Sequence, residues 1–165
     1  MSNPLVVILM GSRSDLGYSE KIADAARKFG LDVELRIGSA HKTAEHTLNI
    51  LRYYEQDPRP KVYITVAGRS NALSGFTDGA VNAPVIACPP YSDAYAGTDI
   101  FSSLRMPSAI APATVLEPAN AALLAAKILG LVNPVVRDKV VSYQREQAAK
   151  VVHDDQEIQT NPNNG

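Results

Sequence analysis

One cysteine, Cys88, and no tryptophan occur among the 165 residues of this chain. A lone thiol excludes an internal disulfide framework and fits a reducing compartment, so a cytoplasmic protein is expected. The missing tryptophan, with no aromatics on the predicted loops flanking the first helix, weighs against a flavin site. An excess of charge of one sign is also missing. Sixteen Lys and Arg face seventeen Asp and Glu, for a net charge of -1. Without a basic block there is no electrostatic footprint for nucleic acid. No apolar run approaches the ~20 residues that span a bilayer, so no membrane partner is expected. The start, Met1-Ser2-Asn3-Pro4, lacks the basic region of a signal peptide. The three histidines, His41, His46 and His153, and the single cysteine show no metal-ligand spacing, so no metal is expected.

What is present suits one globular domain with a core of its own: 45% of residues are hydrophobic and 20% charged. Leu5 to Met10 is a continuous apolar run ending at Gly11, as in a strand buried on both faces. Ile22, Ala25, Ala26 and Phe29 recur at helical spacing up to the stop at Gly30. Asp32 to Gly38 reads as a second strand, with Val33, Leu35 and Ile37 alternating. A capped helix start at Thr43-Ala44-Glu45-His46 follows, and that helix reaches about Gln56, with Leu48, Leu51 and Tyr54 on one face. Lys61 to Ala67 reads as a third strand, Leu73 to Gly79 as a short helix and Val85 to Ala87 as a fourth strand. Asp99 to Arg105 reads as one helix and Ile110 to Leu116 as an irregular fifth strand. Pro118 opens an Ala/Leu-rich helix that ends at Gly130, and a last helix runs from about Pro134 to Val152. Residues 1–155 thus form a single domain including the C-terminal helices, and 156–165 are expected to be a disordered polar tail.

Strands alternating with helices predict a parallel sheet covered on both faces, with every strand-to-helix turn on one edge. That edge is where open α/β sheets place their chemistry. It gathers Ser12, Ser14, Asp15, Ser39, His41, Lys42 and the Gly68-Arg69-Ser70-Asn71 turn. Gly11 to Asp15 can hold a phosphate through amides and hydroxyls, or Ser14 or Asp15 can simply cap the helix. The stretch is neither a Walker loop nor Gly-x-Gly-x-x-Gly. Lys42 and Arg69 can bind an anion or be rim charges. His41 is the candidate for proton transfer, because imidazole takes and returns a proton near neutrality. His46 reads as solvated. Cys88 has no basic neighbour and reads as a buried structural thiol. Taken alone, these residues describe a small-molecule phosphate site with a proton-transfer histidine.

Four motifs together carry a resemblance. Met-Gly-Ser-x-Ser-Asp at 10–15, Ser-Ala-His-Lys at 39–42, Ala-Gly-Arg-Ser-Asn at 67–71 and Ser-Ser-Leu-Arg-Met-Pro at 102–107 are similar to the PurE-type aminoimidazole ribonucleotide carboxylases of purine biosynthesis. The similarity spans about residues 5 to 131. One branch of that family, a mutase, moves a carboxylate from nitrogen to the ring carbon and carries Ser-Ala-His-Arg and Gly-Ala-Ala-His-Leu-Pro-Gly. The other carboxylates aminoimidazole ribonucleotide directly with carbon dioxide. Lys42 in place of that arginine, and Ala72 in place of the third-loop histidine, resemble the direct branch, including the carboxylase domain of animal bifunctional enzymes. The synthetase domain of those fusions is not expected here.

The resemblance implies a three-layer flavodoxin-like α/β sandwich, a homo-octamer with sites at subunit junctions, and His41 as general acid and base. It implies a ribonucleotide held by Ser12, Ser14, Asp15, Ser39, Ala40 and Lys42. Gly68, Arg69, Ser70, Asn71, Ala72 and Leu73 would form the carbon dioxide or carboxylate pocket. Carbon dioxide is the co-substrate, and no ATP, biotin or metal is expected. The competing expectations are the mutase of the same pathway and a non-catalytic flavodoxin-like nucleotide-binding module. Residues 91–99, with Gly97 and a polar composition, have the make-up of a lid.

Overall fold

The computed structural model describes residues 2–160. Strands β1 (Leu5–Met10), β2 (Asp32–Ile37), β3 (Lys61–Val66), β4 (Val85–Ala87) and β5 (Ala113–Thr114) form one sheet in the order β2-β1-β3-β4-β5. Every neighbouring pair is parallel. The apolar run at the start of the chain becomes the central strand, all six of its residues at most 1% exposed. A strand so placed needs apolar side chains on both faces, and the alternation of its residues divides the core. Val6, Ile8 and Met10 point into one cluster with Ile22, Ala23 and Ala26 of α1 (Leu16–Lys28) and Ala121, Ala122, Ala125, Ala126 and Leu129 of α5 (Pro118–Gly130). Leu5, Val7 and Leu9 point into the other, with Ile50, Leu51 and Tyr54 of α2 (Ala44–Glu55) and Leu73 of α3 (Ala72–Asp78). The three-layer flavodoxin-like sandwich is therefore present.

Several elements differ from the sequence expectation. The buried face of α2 is Thr47, Ile50, Leu51 and Tyr54, and Leu48 lies at its margin. The fifth strand shrinks to Ala113 and Thr114, because Pro112, lacking an N–H, limits the ladder on its N-terminal side. The single helix expected over Asp99 to Arg105 is instead a 3-10 segment, Ala94–Ile100, followed by the short α4 (Phe101–Leu104). Tyr95, Ala96 and Gly97 take left-handed backbone angles within that segment. The Ala-rich α5 lies along α1, where small side chains let two helices approach closely, so packing within its own domain explains that composition.

The largest departure is α6 (Pro134–Thr160), which continues eight residues past Val152. Residues 156–160, expected in a disordered tail, are helical, and residues 161–165 lie outside the described part of the chain. Val136 and Val140 bury against α5, and Tyr143 meets the edge of Phe29 at 5.4 Å between ring centroids. From Gln144 to Thr160 every side chain is exposed.

Candidate active site

In a sheet of this order the chain passes from β1 to β2 on one side and then crosses back over β1 to β3 on the other. The crevice at the carboxyl ends of β1 and β3 is the topological switch point. Two backbone hydrogen bonds set its edges: Gly11 N–H donates to Val66 O and Gly38 N–H to Met10 O, each at 2.9 Å. The loops after β1, β2 and β3 thus leave the sheet side by side. They enclose a cleft of about 580 Å³ lined by Ser12, Ser14, Asp15, Ser39, Ala40, His41, Lys42, Gly68, Arg69, Ser70 and Leu73.

In the first loop the capping alternative is not met. Neither the short 3-10 turn Arg13–Asp15 nor α1 has a side-chain cap bond. The Ser12 hydroxyl instead lies 2.5 Å from the Ser14 hydroxyl and donates to Asp15 Oδ2 at 3.2 Å. Three polar side chains are therefore held to one another at the start of α1, with the helix N–H groups left open to an anion.

The second loop is built on Gly38, where a Cβ would meet Thr47 Oγ1 at 2.7 Å and Leu9 Cδ1 at 3.3 Å. Only a glycine allows the chain to pass this close to α2. Thr43 is the N-cap of α2, but its hydroxyl serves the loop: it accepts from Ser39 N–H at 3.0 Å and donates to Ser39 O at 3.3 Å. Lys42 N–H donates to Ser39 Oγ at 3.2 Å. The residues between, Ala40 and His41, are thereby pinned from both sides, with His41 exposed on the cleft wall. His46 is exposed on the first turn of α2, outside the cleft, and His153 pairs with Glu157 on α6 at 3.4 Å.

The third loop divides in two. Gly68, Arg69, Ser70 and Leu73 line the cleft, and Arg69 adopts a left-handed φ of 54°. Asn71 and Ala72 do not line it. Asn71 is 4% exposed and caps α3, its Oδ1 accepting from Ser74 N–H at 3.2 Å. Ala72 is the exposed first residue of α3. Pro90, Tyr91 and Ser92 complete the wall; the sequence reading had not placed them among the site residues and named the last two only within a candidate lid. The signal was available, since these residues follow β4 at the same carboxyl edge as the other loops. Tyr91 to Ser92 also line a smaller, more apolar cleft of about 300 Å³, with Tyr18, Pro89, Ile100, Leu116 and Pro118.

Cys88 lies inside this wall and is fully buried. Burial pushes its thiol up to about 11, which makes it a poor nucleophile near neutrality. Tyr18 Oη donates to Leu116 O at 2.6 Å and lies 3.6 Å from Cys88 Sγ, tying α1 to the loops after β4 and β5. Burial raises the Tyr18 phenol far above its ordinary range, so it remains a donor. Among the described residues no group of three His, Cys, Asp or Glu could hold a metal ion. Nor is any helix among the described residues long and apolar enough to cross a membrane.

Comparison with known proteins agrees with this geometry. The AIR carboxylase family model matches residues 5–150. A phosphoribosylaminoimidazole carboxylase of Treponema denticola is 59% identical over 94% of this chain and 98% of its own. One from Archaeoglobus fulgidus is 54% identical over 92% of this chain and 83% of its own. The human bifunctional phosphoribosylaminoimidazole carboxylase/phosphoribosylaminoimidazole succinocarboxamide synthetase is 48% identical over 82% of this chain, which spans 32% of that protein. The crystal structure of Treponema denticola PurE superposes with a TM-score of 0.93, covering 94% of this chain and 99% of that one. With the match running from β1 into α6 and the motif loops meeting in one cleft, the chain belongs to the AIR carboxylase (PurE) family.

Proposed function

We propose that the chain carboxylates 5-aminoimidazole ribonucleotide directly with carbon dioxide, without ATP, biotin or metal, and that His41 carries the proton. The observation that supports this most is the pinned His41 in the same cleft as two anion-suited loops. The aminoimidazole is an enamine, so its ring carbon is a nucleophile without help from a cofactor. Its electron pair forms the new bond to the carbon of carbon dioxide, and one C=O π pair moves onto oxygen to give a carboxylate. The ring carbon is then tetrahedral and bears both a proton and the carboxylate. His41 takes that proton as a neutral imidazole, and the C–H electron pair restores the aromatic ring. In reverse, the imidazolium protonates the ring carbon and carbon dioxide departs.

Ser12, Ser14 and Ser39 hold the phosphate at the open end of α1, and Asp15 holds ribose hydroxyls. Lys42 offsets the anionic charge of phosphate or carboxylate, a preorganised electrostatic role. Gly68, Arg69 and Ser70 receive the carbon dioxide. Lys42 and Ala72 favour this reading over the mutase, whose motifs carry arginine and histidine there. A passive nucleotide-binding module would have no use for His41 on this wall. The protein is cytoplasmic and assembles as a homo-octamer, the assembly supported by the exposed apolar side chains of Tyr91, Tyr95, Phe101 and Leu104.

Decarboxylation of 4-carboxyaminoimidazole ribonucleotide by the His41→Asn variant tests the proton step. Turnover falls by roughly 10²- to 10⁴-fold, the usual worth of a positioned acid or base, while ribonucleotide affinity stays within a few-fold. Turnover near that of the unmodified protein would remove His41 from the mechanism.

A further inference from the structure

The Ser102-Ser103 pair belongs to one of the four motifs, yet neither residue lines the cleft. Both are instead bonded to the turn that does. Asn71 N–H donates to Ser102 Oγ at 2.9 Å. The Ser102 hydroxyl donates to Asp99 O at 2.7 Å and lies 3.3 Å from Arg69 O. One hydroxyl therefore touches the backbone on both sides of Ser70. Ser103, 2% exposed, accepts from Asn71 Nδ2 at 2.8 Å, and its own carbonyl accepts from Thr114 Oγ1 at 2.9 Å. A continuous run of hydrogen bonds thus leads from β5 through Ser103 and Asn71 to the start of α3.

What this run holds is strained. Arg69 has a φ of 54°, a region sparsely populated by residues with a Cβ, and such a shape persists only where the surroundings over-determine it. The two serines supply that determination from a different part of the chain, the end of the 3-10 segment and α4. We propose that Ser102 and Ser103 are positioning residues that hold the Arg69-Ser70-Asn71 turn in its strained shape, placing Ser70 on the cleft wall. The placement of Asp99, Ser102 and Ser103 thereby sets the shape of this wall of the pocket. Alanine at Ser102 would leave Asn71 N–H without its acceptor and free Arg69 to relax out of the left-handed region. In its effect on carbon dioxide this inference rests on the reading of the turn given above.

The test is steady-state kinetics of Ser102→Ala in the full chain, varying dissolved carbon dioxide at saturating ribonucleotide and then the converse, beside Ser70→Ala. The expected result is a KM for carbon dioxide raised about tenfold, the size of one lost hydrogen bond. The ribonucleotide KM stays within twofold, and Ser102→Thr, which keeps the hydroxyl, restores most of the loss. An unchanged carbon dioxide KM in Ser102→Ala, with Ser70→Ala impaired, overturns the inference and leaves the turn's role standing. Both variants raising the ribonucleotide KM instead overturns the carbon dioxide assignment while keeping Ser102 as the residue that positions the turn. Both KM values rising together with a lower melting temperature in Ser102→Ala marks a purely structural serine and overturns the inference. Ser102→Cys, close in size with a weaker hydrogen bond, replaces the alanine variant if that one does not fold.

Discussion

At the residue scale the site works by pinning short polar side chains with backbone groups. His41 makes no side-chain hydrogen bond of its own among the described residues, so its aim comes from Ser39 and Thr43 on either side. Cys88 is the opposite kind of residue, a buried thiol that chemistry does not use. Its folded value is raised from 9.0 to about 11, so between those values the unfolded chain releases a proton that the native chain keeps. The contribution is fully present below pH 9 and is lost as pH rises toward 11, amounting to roughly 3 kcal/mol. Urea midpoints measured from pH 8 to 11 should fall, and Cys88→Ala should flatten the part of the fall that begins near 9. An identical slope in the variant would assign the loss to other groups, such as Tyr18 and Tyr63, whose raised values open a window from 10 upward.

At the element scale, the helices and strands with strong periodicity were legible. Leu5 to Met10 could be placed as the central strand because six consecutive apolar residues have no solvent-facing side to offer. Three of the cleft's four loops were legible because each follows a strand that could be read from its own pattern, a continuous apolar run in β1, alternation in β2 and a β-branched and aromatic run in β3. The fourth, after β4, was not placed on the wall although its strand was read with the observed bounds, because Cys88-Pro89-Pro90-Tyr91 lacks the glycine at the start of the other three loops. Asn71 was read as a pocket residue, whereas it is a buried cap; a side chain's direction depends on Ser103, which lies 32 residues away. Residues 94–104 defeated periodicity because left-handed turns at Tyr95 and Ala96 break the segment. The length of α6 was missed because its polar end has few packing partners on its own domain to announce it.

Two glycines give a paired prediction at this scale. Gly38→Ala drives a Cβ into Thr47 and Leu9 and should destabilise by about 1–3 kcal/mol while shifting the Ser39–Lys42 loop. Gly17→Ala, on a helical turn of α1 with nothing within 4 Å of the added carbon, should stabilise by about 0.4–1 kcal/mol. Thermal melts and turnover of the two variants check this. Equal effects on both would mean that the close passage of the second loop by α2 is not what holds it.

For the whole molecule, the exposed apolar side chains are unevenly placed. Tyr91, Tyr95, Phe101 and Leu104 cluster near the cleft in sequence, and Leu131, Val135, Val151, Val152 and Ile158 lie on or next to α6. A net charge of -1 offers little repulsion against self-association. The homo-octamer proposed above, whose subunit number comes from the family resemblance, predicts light scattering at eight times the 17.7 kDa of one chain. A fully active monomer would contradict that assembly and its placing of sites at subunit junctions. Which ribonucleotide the cleft turns over is read from the initial rate on aminoimidazole ribonucleotide with bicarbonate, without ATP, beside the rate on the N-carboxylated ribonucleotide, with decomposition of the carbamate controlled. Turnover of the first is expected, and none of the second beyond what decomposition supplies. Turnover of the carbamate alone would contradict direct carboxylation and would show that Lys42 and the Arg69-Ser70-Asn71 turn do not decide between the two reactions.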